Sequence, residues 1–312
     1  MNTDNLLFVP LERYDNSIGH GNVVSVKVVL PFRCQAKCKF CFNKFTKDTQ
    51  EHNFDVFIKN LRKSLLALGT CFKNRKISID VTGNEPTFTA KETFLAFSNV
   101  IRDFKNNYNG IVDKVVMTTN GYQLKDALHD SSLDVFDIIN ISLHHYDYEK
   151  RKDIFGTPII PSNSDVYYMT HILKKRGITT TSVAVVDCDD TTPVRFKSFV
   201  KDFSVSSKEI GFDNTRIRIN YLNEVEKANM LFSMPFEGEE TNVHPTLSKK
   251  RIKINNYDVT IYRGVEALTD YVYGVELVID DDGKLYVDYS KKIQVNNDML
   301  KSFDRGIFIK QH

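Results

Sequence analysis

Between residues 22 and 220, β-branched runs alternate with stretches of helical periodicity, and this alternation restricts the fold more than any other feature of the chain. The runs are "NVVSVKVVL" (22–30), "ISIDV" (77–81), "KVVMTT" (114–119), "IINISL" (138–143), "ITTTSVAVV" (178–186) and "RIRIN" (216–220). After the first, Phe57, Leu61, Leu65 and Leu68 recur at helical spacing, with Gly69 as the expected C-cap. The next helix is expected to open on the capping box Thr89-x-x-Glu92 and to bury Phe94, Phe97, Ile101 and Phe104. A short helix is expected between the third and fourth strands. Lys174-Lys175-Arg176-Gly177 reads as a helix end, and Pro193 as a helix start. Strands separated mostly by helices pair in parallel through right-handed crossovers, so the class is α/β with a parallel sheet.

The rhythm fails beyond about residue 222. "SMPFEGEETNVHPTLS" has loop character, and "GVELVIDDDGKLYVDYS" reads as a β-hairpin turning at Asp281-Asp282-Gly283. The expected division is an N-terminal extension (1–21), the α/β unit (22–221) and an irregular C-terminal extension (222–312). A chain of 312 residues can bury a large core of that size. With 42 Lys and Arg against 40 Asp and Glu, nothing argues for nucleic acid or an anionic membrane surface. Lys249-Lys250-Arg251 reads as a solvated face rather than a phosphate-binding patch. The early apolar run is broken by Lys27 and falls short of the roughly 20 residues of a membrane span. Five cysteines and no secretion signal argue for a reducing, cytoplasmic location over a disulfide framework.

Three of those cysteines lie together in "CQAKCKFCF", directly after the first strand. The loop therefore falls at the carboxyl ends of the strands, where parallel α/β folds place their chemistry. Cys34, Cys38 and Cys41, spaced CxxxCxxC, can hold three irons of a 4Fe-4S cluster and leave the fourth open. A closed zinc site would need a fourth ligand, and the nearest downstream histidine is His52. Zinc and unconnected thiols both stay open on spacing alone.

The loop, with Phe40 before its last cysteine, resembles that of the radical S-adenosylmethionine (SAM) enzymes. "TGNEPT" (82–87) after the second strand is similar to their glycine-glycine-glutamate-proline segment. "TTNG" (118–121) and "ISLHH" (141–145) end the third and fourth strands as that family's do. The resemblance spans about residues 22–220 and implies a partial (β/α)6 TIM-like barrel. It implies a 4Fe-4S cluster on Cys34, Cys38 and Cys41, whose open iron binds SAM. It also implies an electron donor such as flavodoxin or ferredoxin, and reductive cleavage of SAM to a 5′-deoxyadenosyl radical that abstracts a substrate hydrogen.

Beside that resemblance, the remaining motifs suit a sulfonium-bearing amino acid. Gly83, Asn84 and Glu85 form a turn whose carbonyls and carboxylate suit an ammonium; Asn84, where the family often has glycine, tolerates left-handed backbone. Asn120 and Ser142 are candidates for the cofactor's polar groups, and Phe40 for the adenine edge through its backbone. Arg151 reads as a surface residue. His144, His145, Tyr146 and Asp147 are expected at the barrel mouth as substrate contacts. Cys188 in "VAVVDCDD" is a candidate hydrogen-atom donor if Asp187, Asp189 and Asp190 hold it as the thiol; a packed cysteine is the alternative. Cys71 serves as the inert comparison. Two cysteines outside the loop rule out a second fully cysteine-ligated cluster, and no cobalamin-binding stretch is present. A small polar substrate, a peptide side chain, or a non-enzymatic zinc or cluster-binding role are the function classes left.

Overall fold

The computed structural model describes residues 6–10, 23–41, 53–188, 191–220, 225–244, 247–264, 272–273 and 276–311. In chain order the first half comprises β1 (Leu6–Pro10), β2 (Val23–Val29), α1 (Phe54–Cys71), β3 (Lys76–Thr82), α2 (Lys91–Asn107), β4 (Val112–Thr119), α3 (Leu124–Ala127) and β5 (Ile138–Ser142). Then come α4 (Tyr148–Phe155), α5 (Asn163–Lys175), β6 (Thr179–Asp187), α6 (Pro193–Ile210), β7 (Asn214–Asn220) and α7 (Val225–Ser233). The last part holds β8 (Glu240–His244), β9 (Leu247–Ile254), β10 (Tyr257–Gly264), β11 (Val272–Tyr273), β12 (Glu276–Ile279), β13 (Leu285–Tyr286), α8 (Asn297–Asp304) and β14 (Ile307–Gln311).

Strands β2 to β7 pair consecutively and in parallel, as the alternation requires. Their sheet runs β13-β12-β2-β3-β4-β5-β6-β7-β10-β9-β8, and its two ends do not pair with each other. The result is an open barrel. Alternate residues of each strand face opposite ways. Ile77, Ile79 and Val81 of β3 are buried in the core under the helices, whereas Ser78 and Asp80 line the lumen. The helices answer with the stripes read from the sequence: Phe57, Leu61, Leu65 and Leu68 of α1, and Phe94, Phe97, Ile101 and Phe104 of α2, are buried. Each such phenylalanine contributes about 2–3 kcal/mol by leaving water.

Local details differ from the reading above. Gly69 does not end α1, which runs on to Cys71 and is capped at Phe72. The glycine is needed for close approach: a Cβ there would come within 2.5 Å of the Tyr108 ring. The Thr89 capping box does not form either. Ala90 is the N-cap of α2, without a side-chain bond. Thr192 caps α6 and Pro193 occupies its first turn as expected.

The C-terminal region is more regular than its sequence suggests. β10 adds to β7 and β12 adds to β2, both in parallel, so the chain returns to extend both edges of the barrel sheet. The hairpin forms where expected, β12 against β13. Its turn docks on α1, where Asn60 and Ser64 donate to the Asp282 and Gly283 carbonyls at 2.9 and 2.8 Å. Part of the N-terminal extension is also tied down, since β1 pairs with β14 in a second, three-stranded sheet.

Candidate active site

The cysteine loop leaves the carboxyl end of β2, and the turns after β3, β4 and β5 meet it. Cys34, Cys38 and Cys41 are partly buried, and none is in a disulfide. The Cys41 N–H donates to the Cys38 carbonyl at 3.1 Å, which folds that part of the loop into a tight turn. Burial, and then the Glu85 and Cys41 charges, push the Cys34 thiol up to about 11. It is therefore held protonated without a metal, and a metal binding there must displace the proton. Among the described residues no three His, Cys, Asp or Glu side chains already converge as a metal site. The donor set is nonetheless three thiols from one loop. It fits a cluster with one open iron better than a closed tetrahedral zinc. His52 lies outside the described residues.

Glu85 is the hub of the surrounding turns. Its carboxylate, 1 % exposed, accepts from the Thr87 N–H at 3.1 Å and hydroxyl at 2.6 Å, from the Thr119 hydroxyl, and from the Asn120 N–H at 2.7 Å. Its own N–H reaches the Arg33 carbonyl at 3.3 Å. Burial raises its pKa, against the pull of those four donors. The carboxylate thus staples the turn after β3 to the end of β4. The turn needs its two unusual residues: Gly83 has φ +71° with Val29 packed against it, and Asn84 has φ +36°. Asn84 also donates to the Leu30 carbonyl at 3.0 Å.

Asn120 carries the connection on to the cysteine loop. Its side chain lies 3.7 Å from the Cys34 sulfur and exchanges amide hydrogen bonds with Gln35, at 3.0 and 3.3 Å. Gln35 was not singled out from the sequence. The signal was only its place between two cysteines. Ser142, at the end of β5, is partly exposed, and no hydrogen bond involves its hydroxyl among the described residues.

The four residues after β5 divide. His144 is buried, with φ +63°, and its Nδ1 accepts from the Val185 N–H at 3.1 Å. Its ring packs edge-on against Phe40 at 4.8 Å and near Phe155 at 4.9 Å, so it holds the cysteine loop and α4 together. The Asp147 carboxylate caps α4, accepting from the Glu149 and Lys150 N–H groups at 2.8 and 3.1 Å. The His145 Nδ1 accepts from the Asp147 N–H at 2.9 Å, and Tyr146 packs near Phe199. Three of the four thus hold backbone N–H groups, and Tyr146 contributes by packing its ring. Arg151 corrects the surface reading: it is 1 % exposed, its guanidinium donates to Asn163, and its Nε has no partner among the described residues. Cys188 directly follows β6 and is buried in the apolar core, its thiol donating to the carbonyl of Asn220 at the carboxyl end of β7. Asp189 and Asp190 lie outside the described residues.

Burial lowers the His144 pKa from 6.5 to about 3. A base with a depressed folded pKa stabilises the fold above its unfolded pKa and loses that contribution as pH falls. Urea unfolding of the cluster-free protein should therefore give about 2 kcal/mol less stability at pH 5 than at pH 7 on this account. His144→Gln should flatten that slope, and an unchanged slope would show that the ring does not stay neutral and buried.

The sequence model of the Radical SAM superfamily matches residues 28–191, just over half of the chain. The chain belongs to the radical SAM superfamily. Members of this superfamily are enzymes that use a 4Fe-4S cluster and SAM. Among curated proteins, this radical SAM chain is 24% identical over 159 residues to a GTP 3′,8-cyclase of Campylobacter jejuni subsp. doylei, covering 49% of the chain and 43% of that relative. It is 31% identical over 132 residues to a probable GTP 3′,8-cyclase of Saccharolobus islandicus, covering 42% and 38%. The match thus spans about two fifths of these relatives' length. Among solved structures, Streptococcus suis SuiB aligns with a TM-score of 0.53 at 12% identity, over 91% of this chain and 66% of that one. That likeness concerns the fold.

Proposed function

We propose that this chain binds SAM at a 4Fe-4S cluster held by Cys34, Cys38 and Cys41 and abstracts a hydrogen atom from a small polar substrate. The observation that carries the reading is the continuous hydrogen-bonded path from the cysteine loop through Gln35 and Asn120 to the buried Glu85. When bound, the cluster would supply the electron that cleaves the sulfonium of SAM, with an external donor such as flavodoxin or ferredoxin. The protein's own work is positional. Glu85 fixes the turns after β3 and β4, His144 presses on Phe40, and the Lys37 N–H bonds to the Phe155 carbonyl at 2.7 Å to anchor the loop on α4. The left-handed turn at Gly83 and Asn84 supports a role for its carbonyls in holding the methionine ammonium, and the open Ser142 hydroxyl supports one at the ribose or carboxylate.

A small substrate is favoured over a peptide by the course of the C-terminal region. β10 and β9 curl over the lumen opposite β3 and β4 and bound a cleft of about 650 Å³, the size of a small-molecule site. Residues 222–312 thereby act in substrate recognition. The relatives' name makes guanosine triphosphate the first compound to test. Incubation with SAM, reductant and carbon-deuterated nucleotides should give 5′-deoxyadenosine that carries substrate deuterium. Transfer from a peptide, and from no small molecule, would reverse the assignment.

A further inference from the structure

The Lys249-Lys250-Arg251 run is not one solvated face. Lys250 points to the outer side of β9, buried, with its ammonium on the Met234 carbonyl at 2.8 Å and the Glu239 carboxylate at 3.0 Å. Its neighbours point the other way, as strand alternation demands, and line the lumen cleft with Lys114 of β4 and Arg216 of β7. β4 and β9 are far apart in the sheet order, so the curl of the sheet brings these cations together across the lumen. The Lys249 ammonium records the crowding: burial lowers its pKa, and the Arg251, Lys114 and Arg216 charges lower it further.

Acidic groups on the same walls mostly have cationic partners of their own, Lys253 among them being a further cation of the lining. Asp80 pairs with Lys27 at 2.5 Å, Asp258 with Lys253 at 2.8 Å, and Asp213 with Lys174 at 3.6 Å while accepting from the Thr180 N–H at 2.8 Å. Glu240, cross-strand from Arg251, is the remaining carboxylate of the lining. Arg216 and Arg251 form no ion pair among the described residues. Like charges gathered in a cleft repel one another, and a multivalent anion relieves that repulsion.

We propose that Arg216, Lys249 and Arg251, with Lys114 opposite, form a polyphosphate subsite in the lumen for the substrate of the reaction proposed above. The substrate class is then a small molecule bearing a di- or triphosphate. Arg216 lies four residues before the carboxyl end of β7, about 13 Å along the strand. A phosphate anchored there leaves room for a nucleoside-sized group to reach the cysteine-loop end. Asp80, whose Oδ2 pairs with Lys27, keeps a buried Oδ1 with no hydrogen-bond partner among the described residues, an acceptor on the opposite wall. The inference rests on the preceding section for the reaction, but the anion binding stands by itself.

The test is calorimetric titration of the reconstituted protein with sodium tripolyphosphate, at fixed ionic strength, with sulfate as the comparison anion. Tripolyphosphate should bind at least tenfold more tightly than sulfate. Arg216→Gln or Arg251→Gln should each weaken it about tenfold, while Glu240→Gln should tighten it. That opposite sign separates a charge effect from damage to the fold, and the exposed Arg251 and Glu240 keep the test alive if Arg216→Gln misfolds. A parallel series with ATP, GTP, CTP and UTP tells whether the triphosphate alone or a nucleoside triphosphate is the ligand. Equal binding of tripolyphosphate and sulfate, or variants that match the parent, would overturn the subsite. If that happens while the protein still cleaves SAM, only the subsite fails; binding without cleavage would overturn the reaction instead.

Discussion

Single replacement of Cys34, Cys38 or Cys41 by alanine is expected to take the anaerobically reconstituted protein from about four irons per chain to less than one. Each thiolate is one of only three protein anchors, and no other cysteine lies on that loop to substitute. Cys71→Ala is the control. Cys71 is the last residue of α1, buried, with its sulfur 3.8 Å from the Asn297 carbonyl. Iron analysis and the visible absorption of the cluster read the result. A loop variant that keeps full iron would mean that the three thiols are not the ligands, and zinc in place of iron would restore the fourth-ligand question at His52.

The second large effect concerns Glu85. Glu85→Ala should lower the stability of the cluster-free protein by about 3 kcal/mol, because the Thr119 hydroxyl, the Asn120 N–H and the Thr87 donors lose a buried acceptor together. Glu85→Gln keeps one acceptor oxygen but sets an amide against the Asn120 N–H, so it should cost about 1 kcal/mol. Iron retention should fall in the alanine variant, since Asn120 and Arg33 lose their register with the cysteine loop. A role at the SAM ammonium adds a second effect: the alanine variant should then lose SAM affinity, whereas unchanged SAM affinity would confine Glu85 to holding the turns together. Urea denaturation beside SAM titration decides between them.

Much of the barrel could be read because its strands obey one constraint on their outer face. Ile77, Ile79 and Val81, or Ile139 and Ile141, must be apolar to meet the helices, so β2 to β7 show in the sequence to within two residues. β9 and β10 escaped because their inner faces line a charged cleft. "KKRIKI" and "YDVTIYRG" alternate correctly, but the polar half reads as solvent when nothing in the sequence places an opposite wall there. Helix α4 escaped for a related reason: its buried residues are Arg151 and Phe155, which leave no apolar stripe to detect.

The site divided along the same line. Spacing within one loop, as in Cys34, Cys38 and Cys41, is local and legible. Glu85 stands out in its motif, but its partners Thr119 and Asn120 lie more than thirty residues on, and only the folded register of β3 beside β4 brings them in reach. His144 and Asp147 have the side chains of catalysts, and the backbone groups that occupy them belong to β6 and to the first turn of α4. A polar residue at a strand end can serve the fold or a ligand, and the nearest unpaired N–H decides which.

The most direct test is the amount of 5′-deoxyadenosine formed when the reconstituted protein is incubated anaerobically with SAM and dithionite. The parent should release it in several-fold excess over the Cys41→Ala variant and over a protein-free control, even without substrate. Equal amounts in all three, with about four irons bound to the parent, would contradict the radical chemistry assigned to this site.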